Sequence, residues 1–111
     1  MKAGELTLEA EIQAGIKEYL ELRGAEVFRL NSGKVRVGKR LIALCPPGTP
    51  DLVAAMPNGS VLWVEVKTPV GTVRTEQKVM HNRLRMRRQR VIVATSVADV
   101  EAAIGSTKPL T

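Results

Sequence analysis

The chain carries, at residues 50–67, the stretch PDLVAAMPNGSVLWVEVK, and this stretch decides the fold. Asn58-Gly59 between two apolar runs is a strong turn signal, so the stretch is predicted to form a β-hairpin. Side chains on a strand alternate between its two faces. Glu65 and Lys67 therefore share one face, and the hairpin turn places Asp51 roughly opposite Glu65. We expect two carboxylates and one ammonium group to converge at one end of a sheet.

Two neighbouring carboxylates repel each other unless a cation lies between them. Hard oxygen ligands that leave room for waters and a phosphate suit Mg²⁺ or Mn²⁺. A lysine beside such an ion can help to activate a water for attack on phosphorus. The pair Asp51 and Glu65, with Lys67, therefore predicts a phosphodiesterase site. Pro-Asp alone is more often a turn and Glu-x-Lys alone a solvated strand edge, but their spacing across the hairpin favours the site.

The whole chain predicts the order α-β-β-β-β-α-β-α, an α/β fold with a mixed central sheet flanked by helices. Thr7, Thr75 and Ser96 are expected to cap the three helices. Asn31-Ser32-Gly33 is expected to be a turn, and Gly38-Lys39 offers a tight turn inside the second strand. The predicted elements are a helix at 7–23, strands at 25–30, 35–44, 51–56 and 60–67, a helix at 75–88, a strand at 90–94 and a helix at 97–104.

Length and composition exclude several classes of protein. A chain of 111 residues is the usual size of a single domain, here 1–111. The single cysteine, Cys45, excludes an internal disulfide, and the single histidine, His81, excludes a multi-histidine zinc site. No partner is evident for His81, which is expected to have a surface or packing role. No apolar run approaches the ~20 residues of a membrane span, and a cytoplasmic location is expected.

The charge of the chain is +6 and unevenly distributed. Residues 1–26 carry three basic and six acidic side chains, whereas residues 27–111 carry fourteen basic and five acidic ones. Such an excess suggests a polyanionic partner. The chain lacks the large apolar helix face that membrane-surface binding needs, so nucleic acid is favoured. The expected DNA contacts are Lys34, Arg36, Lys39, Arg40, Arg74, Lys78, Arg85 and Arg88.

These residues resemble the PD-(D/E)XK nuclease superfamily, with Pro50-Asp51 and Glu65-Val66-Lys67 as its two signature pieces. The closer resemblance is to the VRR-Nuc family, in its stand-alone phage and bacterial form. It spans essentially the whole chain and implies a restriction-endonuclease-like fold with one nuclease domain. The motifs that carry it, in order, are EAEIQ at 9–13, NSG at 31–33, GTPD at 48–51, EVK at 65–67, and Gly71 followed by TEQ at 75–77.

The resemblance implies roles for individual residues. Asp51 and Glu65 would bind the metal with the Val66 carbonyl as a further ligand, and Lys67 would position the nucleophilic water or stabilise developing charge.

The superfamily often adds a glutamate from the first helix. Glu9 is preferred to Glu11 because it lies on the apolar face of that helix, although both could simply be surface acids. Gln77 would hold the attacking water, a metal-bound water or a phosphate, or else only solvate its helix.

The implied function is a Mg²⁺- or Mn²⁺-dependent DNA endonuclease acting on branched DNA, similar to a Holliday-junction resolvase. A four-way junction has two strands to cut, so a homodimer is expected, in a bacterial or phage-infected cell and without another protein partner. The alternatives are a flap-cleaving or restriction-type endonuclease, or a non-catalytic DNA-binding protein on the same fold.

Overall fold

A computed structural model of the chain describes residues 3–32 and 34–105. It confirms the predicted α/β class with a mixed central sheet. Four strands form this sheet in the order β1-β4-β5-β6, where β5 and β6 are parallel and the other pairs antiparallel. The elements are α1 Ala3–Leu22, β1 Glu26–Arg29, β2 Lys34–Val37, β3 Arg40–Ala43, β4 Leu52–Ala55, β5 Val61–Val66, α2 Thr75–Met86, β6 Arg90–Ala94 and α3 Val97–Ile104.

The one difference in element order lies in the predicted second strand. Residues 35–44 do not form one strand but a hairpin, in which β2 pairs with β3 as a separate two-stranded sheet. Gly38 has a φ of +63°, a conformation that glycine adopts readily, so the chain reverses at Gly38-Lys39. At the base of the hairpin Ser32 forms a bridge with Cys45. Gly33, in the predicted turn, lies outside the described residues.

Two of the three predicted helix caps are wrong. α1 begins at Ala3, because residues 3–6 include good helix formers, and Thr7 therefore lies within the helix. α2 has Arg74 as its N-cap residue, since the Gln77 side chain accepts a 2.8 Å hydrogen bond from the Arg74 N–H. Ser96 caps α3 as predicted, accepting a hydrogen bond from the Asp99 N–H at 3.2 Å.

The core lies on one face of the central sheet. Leu62, Val64 and Val66 of β5 are buried there and belong to one apolar cluster with residues of α1 and α3. Because side chains alternate along a strand, Trp63 and Glu65 point to the opposite face, which α2 covers. The members of the apolar cluster outside β5 include Ile16, Leu20, Val27, Leu52, Ala54, Ala94 and Val100.

Candidate active site

The register of the hairpin brings Asp51 to Glu65. Leu52 pairs with Val64, so Asp51, one residue earlier, lies opposite Glu65 at the end of the ladder. Oδ2 of Asp51 accepts a 2.7 Å hydrogen bond from the N–H of Val66, the residue next to Glu65. The structure thus brings together the two carboxyl groups that the sequence placed at this end of the sheet.

Glu65 is a buried acid, with 1% of its surface exposed. Burial is the main cause that raises its pKa from 4.5 to about 9, and the hydrogen bond and the charge of Asp51 add to it. The charge of Lys67 acts in the opposite direction. Without a cation Glu65 is therefore protonated near neutral pH, because burial and the neighbouring Asp51 both disfavour its charged form.

The first helix presents Glu9 to this site. Glu9 is half-buried, and its charge is among the causes that raise the pKa of Glu65. Glu11 is exposed and is not among those causes. Of the two candidate glutamates, only Glu9 is among the charges that act on the pKa of Glu65.

Lys67 follows directly after β5. Its backbone N–H donates a 3.0 Å hydrogen bond to the Ala94 carbonyl, which continues the pairing with β6 beyond the end of the strand. The side chain is half-buried, and its positive charge lowers the pKa of both Glu65 and His81. The ammonium group therefore acts electrostatically on the site, on the same side of the strand as Glu65.

The second helix contributes two buried polar residues one turn apart, Gln77 and His81. Nε2 of Gln77 donates to Oε2 of Glu65 at 3.4 Å, while its Oε1 accepts the cap hydrogen bond from Arg74. Nε2 of His81 lies 3.0 Å from Oε1 of Glu65. His81, for which the sequence showed no evident partner, therefore contacts Glu65. The spacing of four residues, which places Gln77 and His81 on one helix face, was the signal for it.

His81 is an uncharged member of the site at neutral pH. Burial is the main cause that lowers its pKa below 6.5, and the charges of Arg85 and Lys67 lower it further, while Asp51 acts in the opposite direction. The contact between His81 and Glu65 is therefore a hydrogen bond between a neutral ring and a carboxyl group.

The loop before Asp51 packs against the start of α2. Gly48 is buried with a φ of +88°, and a Cβ added there would lie 2.2 Å from the Glu76 carbonyl oxygen. Pro50 is also fully buried. The loop can therefore approach the helix that carries Gln77 and His81 only because residue 48 has no side chain. This contact links the position of Asp51 to that of α2. The sequence placed Gly48 in the motif at 48–51 but did not predict this contact.

The basic residues expected to contact DNA lie in two regions. Lys34, Arg36, Lys39 and Arg40 are exposed on the β2–β3 hairpin. Arg74 and Lys78 are exposed at the end of α2 that is next to the site. Arg85 donates a 3.0 Å hydrogen bond to the Val91 carbonyl, and Arg88 follows the opposite end of α2.

The donor set fits a hard divalent cation that keeps part of its own water shell. Within residues 3–32 and 34–105, no group of three or more His, Cys, Asp or Glu side chains could hold a metal ion. Asp51 and Glu65 instead supply two carboxyl groups at one place, and a cation bound between them would relieve the repulsion that contributes to the raised pKa of Glu65. Magnesium-type sites in proteins commonly use one or two carboxylates, with waters and substrate phosphates completing the shell.

The chain is similar to a known protein family in sequence and to a solved structure in fold. The model of the VRR-NUC domain family matches residues 14–98. A solved structure described as a VRR_NUC domain matches with a TM-score of 0.68 and 27% sequence identity, over 91% of this chain and 98% of that chain. A search of curated proteins found no match. In the described part of the chain, no helix is both long and apolar enough to cross a membrane.

Proposed function

The chain belongs to the VRR-NUC domain family, a family of nucleases, and from this premise we propose that it is a metal-dependent endonuclease that hydrolyses phosphodiester bonds in DNA. The observation that carries the proposal is the pairing of the Asp51 and Glu65 carboxyl groups at the end of β4 and β5. A buried acid with a strongly raised pKa beside a second carboxyl group is typical of a functional site.

Asp51, Glu65 and the Val66 carbonyl would hold Mg²⁺ or Mn²⁺. The N–H and C=O of one strand residue point to the same side, so the Val66 carbonyl faces the side from which its N–H donates to Asp51. The ion, when bound, would supply Lewis acidity and lower the pKa of a bound water.

The other polar residues of the site would act on water and phosphate. The Lys67 ammonium group would orient the attacking water and stabilise charge on the phosphate, from the same side of β5 as Glu65. Glu9 would accept a hydrogen bond from a metal-bound water on the α1 side. The Gln77 amide group, which donates to Glu65, would hold the attacking water, a metal-bound water or a phosphate.

Branched DNA is the proposed substrate. Basic side chains are exposed on the β2–β3 hairpin and at the start of α2, and phosphate contacts of this kind give affinity without reading bases. One chain holds one Asp51–Glu65 site, and a four-way junction has two strands to cut. A symmetric homodimer would supply the second site.

The test is a comparison of DNA shapes. Purified protein with Mg²⁺ or Mn²⁺ is incubated with a four-way junction, a flap and a linear duplex of matched sequence. The proposal expects the junction to be cut fastest. Fastest cleavage of the flap or the duplex would contradict the proposal that four-way junctions are the preferred substrate. Binding without cleavage of any DNA would contradict the proposed enzymatic activity.

A further inference from the structure

His81 has no part in the proposed chemistry, yet it makes the closest contact that α2 has with the site. The imidazole is 2% exposed, and its Nε2 lies 3.0 Å from Oε1 of Glu65. Gln77, one turn earlier on the same helix face, donates to the other oxygen, Oε2. The two oxygens of one carboxyl group are therefore contacted by two residues of a single helix.

Such a two-point contact fixes a side chain that otherwise has several conformations. A glutamate loses conformational entropy when its side chain is immobilised. One hydrogen bond fixes the position of one oxygen, whereas a second bond to the other oxygen also fixes the rotation of the carboxyl group. Each oxygen retains a second lone pair, so Glu65 can still bind a metal ion on the side of Asp51.

We propose that His81 is a positioning residue, which together with Gln77 holds the Glu65 carboxylate in the orientation that metal binding needs. This inference rests on the proposed function, because it concerns the same site. With Glu65 ionised, the neutral ring donates its Nε2–H to Oε1. Groups that orient a metal ligand in this way typically change metal affinity or activity by about 10- to 100-fold.

The alternative is a histidine that only fills space between α2 and the sheet. Two substitutions separate these roles. His81→Phe keeps an aromatic ring of similar shape and removes the donor, whereas His81→Gln keeps an N–H donor at a similar reach. A space-filling residue would tolerate phenylalanine better than glutamine. A positioning residue would tolerate glutamine better than phenylalanine.

The experiment measures Mn²⁺ binding by calorimetry and the single-turnover rate of junction cleavage, for wild type, His81→Phe, His81→Gln and Glu65→Gln. We expect His81→Phe to weaken Mn²⁺ binding by about 10- to 100-fold and His81→Gln to restore most of the affinity. Val100→Ala removes two buried methyl groups in α3, in the apolar cluster on the face of the sheet opposite α2, and serves as a variant that lowers the melting temperature without changing Mn²⁺ affinity.

Three outcomes would overturn the inference. Wild-type Mn²⁺ affinity in a folded His81→Phe variant would show that the ring does not position Glu65. If His81→Phe does not fold, the Mn²⁺ affinities of His81→Gln and Val100→Ala are compared. Equal weakening in both would show that Mn²⁺ binding depends only on the stability of the fold. Mn²⁺ binding by wild type that Glu65→Gln does not abolish would instead contradict the proposed metal site, and the inference with it.

Discussion

The Val66 N–H donates a 2.7 Å hydrogen bond to Oδ2 of Asp51, which ties the residue before β4 to the last residue of β5. This bond holds Asp51 opposite Glu65, although Asp51 and Glu65 are fourteen positions apart in the sequence. Burial and the charge of Asp51 raise the pKa of Glu65, so without a cation Glu65 carries a proton near neutral pH.

Without metal, the protein is expected to lose stability as the pH rises. The pKa of Glu65 is raised to about 9 in the folded chain, so above its ordinary pKa the folded state binds more protons than the unfolded state. The stabilising contribution is complete below the ordinary pKa and is lost as the pH approaches the raised one. Urea unfolding in the presence of a chelator, between pH 7 and 9, measures this loss.

The control for this pH dependence is Glu65→Gln, which keeps the shape of the side chain and removes its titration. The window begins at pH 7 because the pKa of His81 is lowered from 6.5, so this ring does not titrate there. The variant is expected to lose less stability than wild type over the same range. An equal loss in both proteins would contradict the raised pKa of Glu65.

Gly48→Ala is expected to destabilise the protein and to disturb the site. The added Cβ would meet the Glu76 carbonyl oxygen at 2.2 Å, so the loop before Asp51 must move away from α2. Alanine at positive φ costs more than about 1 kcal/mol even without such a contact. Thermal unfolding and Mn²⁺ binding measure the two effects.

Gly59→Ala is the matched control for Gly48→Ala. Gly59 has the same φ of +88° but nothing within 4 Å of an added Cβ, so its substitution carries the backbone strain alone. The difference in melting temperature between the two variants isolates the contact of the loop with α2. Equal destabilisation by both substitutions would show that this contact does not matter.

Glu9→Gln is expected to slow cleavage, whereas Glu11→Gln is not. Only Glu9 is half-buried and acts on the pKa of Glu65. Loss of its charge should reduce the single-turnover rate by about 10- to 100-fold, the range found for groups that support a metal site. The reverse order of the two variants would assign the first-helix acid to Glu11.

Lys78→Ala is expected to weaken DNA binding and reduce its salt dependence. Each phosphate contact contributes a slope of about 0.9 in a plot of log affinity against log salt concentration for duplex DNA. Lys17→Ala is the control, since Lys17 lies on α1 and pairs with Glu21 at 2.9 Å. Titrations in the Glu65→Gln background avoid cleavage. An unchanged slope for Lys78→Ala would exclude this phosphate contact.

The sheet and the carboxyl pair could be predicted because each depends on a local pattern. The alternation of β5 separates Glu65 from Val64 and Val66, and the Asn-Gly turn fixes which residue of β4 lies opposite. His81 was missed because α2 buries polar side chains where most helices bury apolar ones, although its spacing of four residues from Gln77 was a signal. The apolar residues of α2 are therefore irregularly spaced in the sequence. Gly48 belonged to the motif at 48–51, but its role could not be predicted, since its positive φ and its contact with Glu76 are properties of the packed loop.

The most direct test is single-turnover cleavage of a four-way DNA junction with Mn²⁺, for wild type and Glu65→Gln at concentrations that saturate binding. Loss of a metal ligand should cost about 3 kcal/mol or more of transition-state stabilisation, which slows cleavage by at least about 100-fold, while junction binding stays unchanged. Equal cleavage rates for the two proteins would contradict the assignment of Asp51 and Glu65 as the metal site.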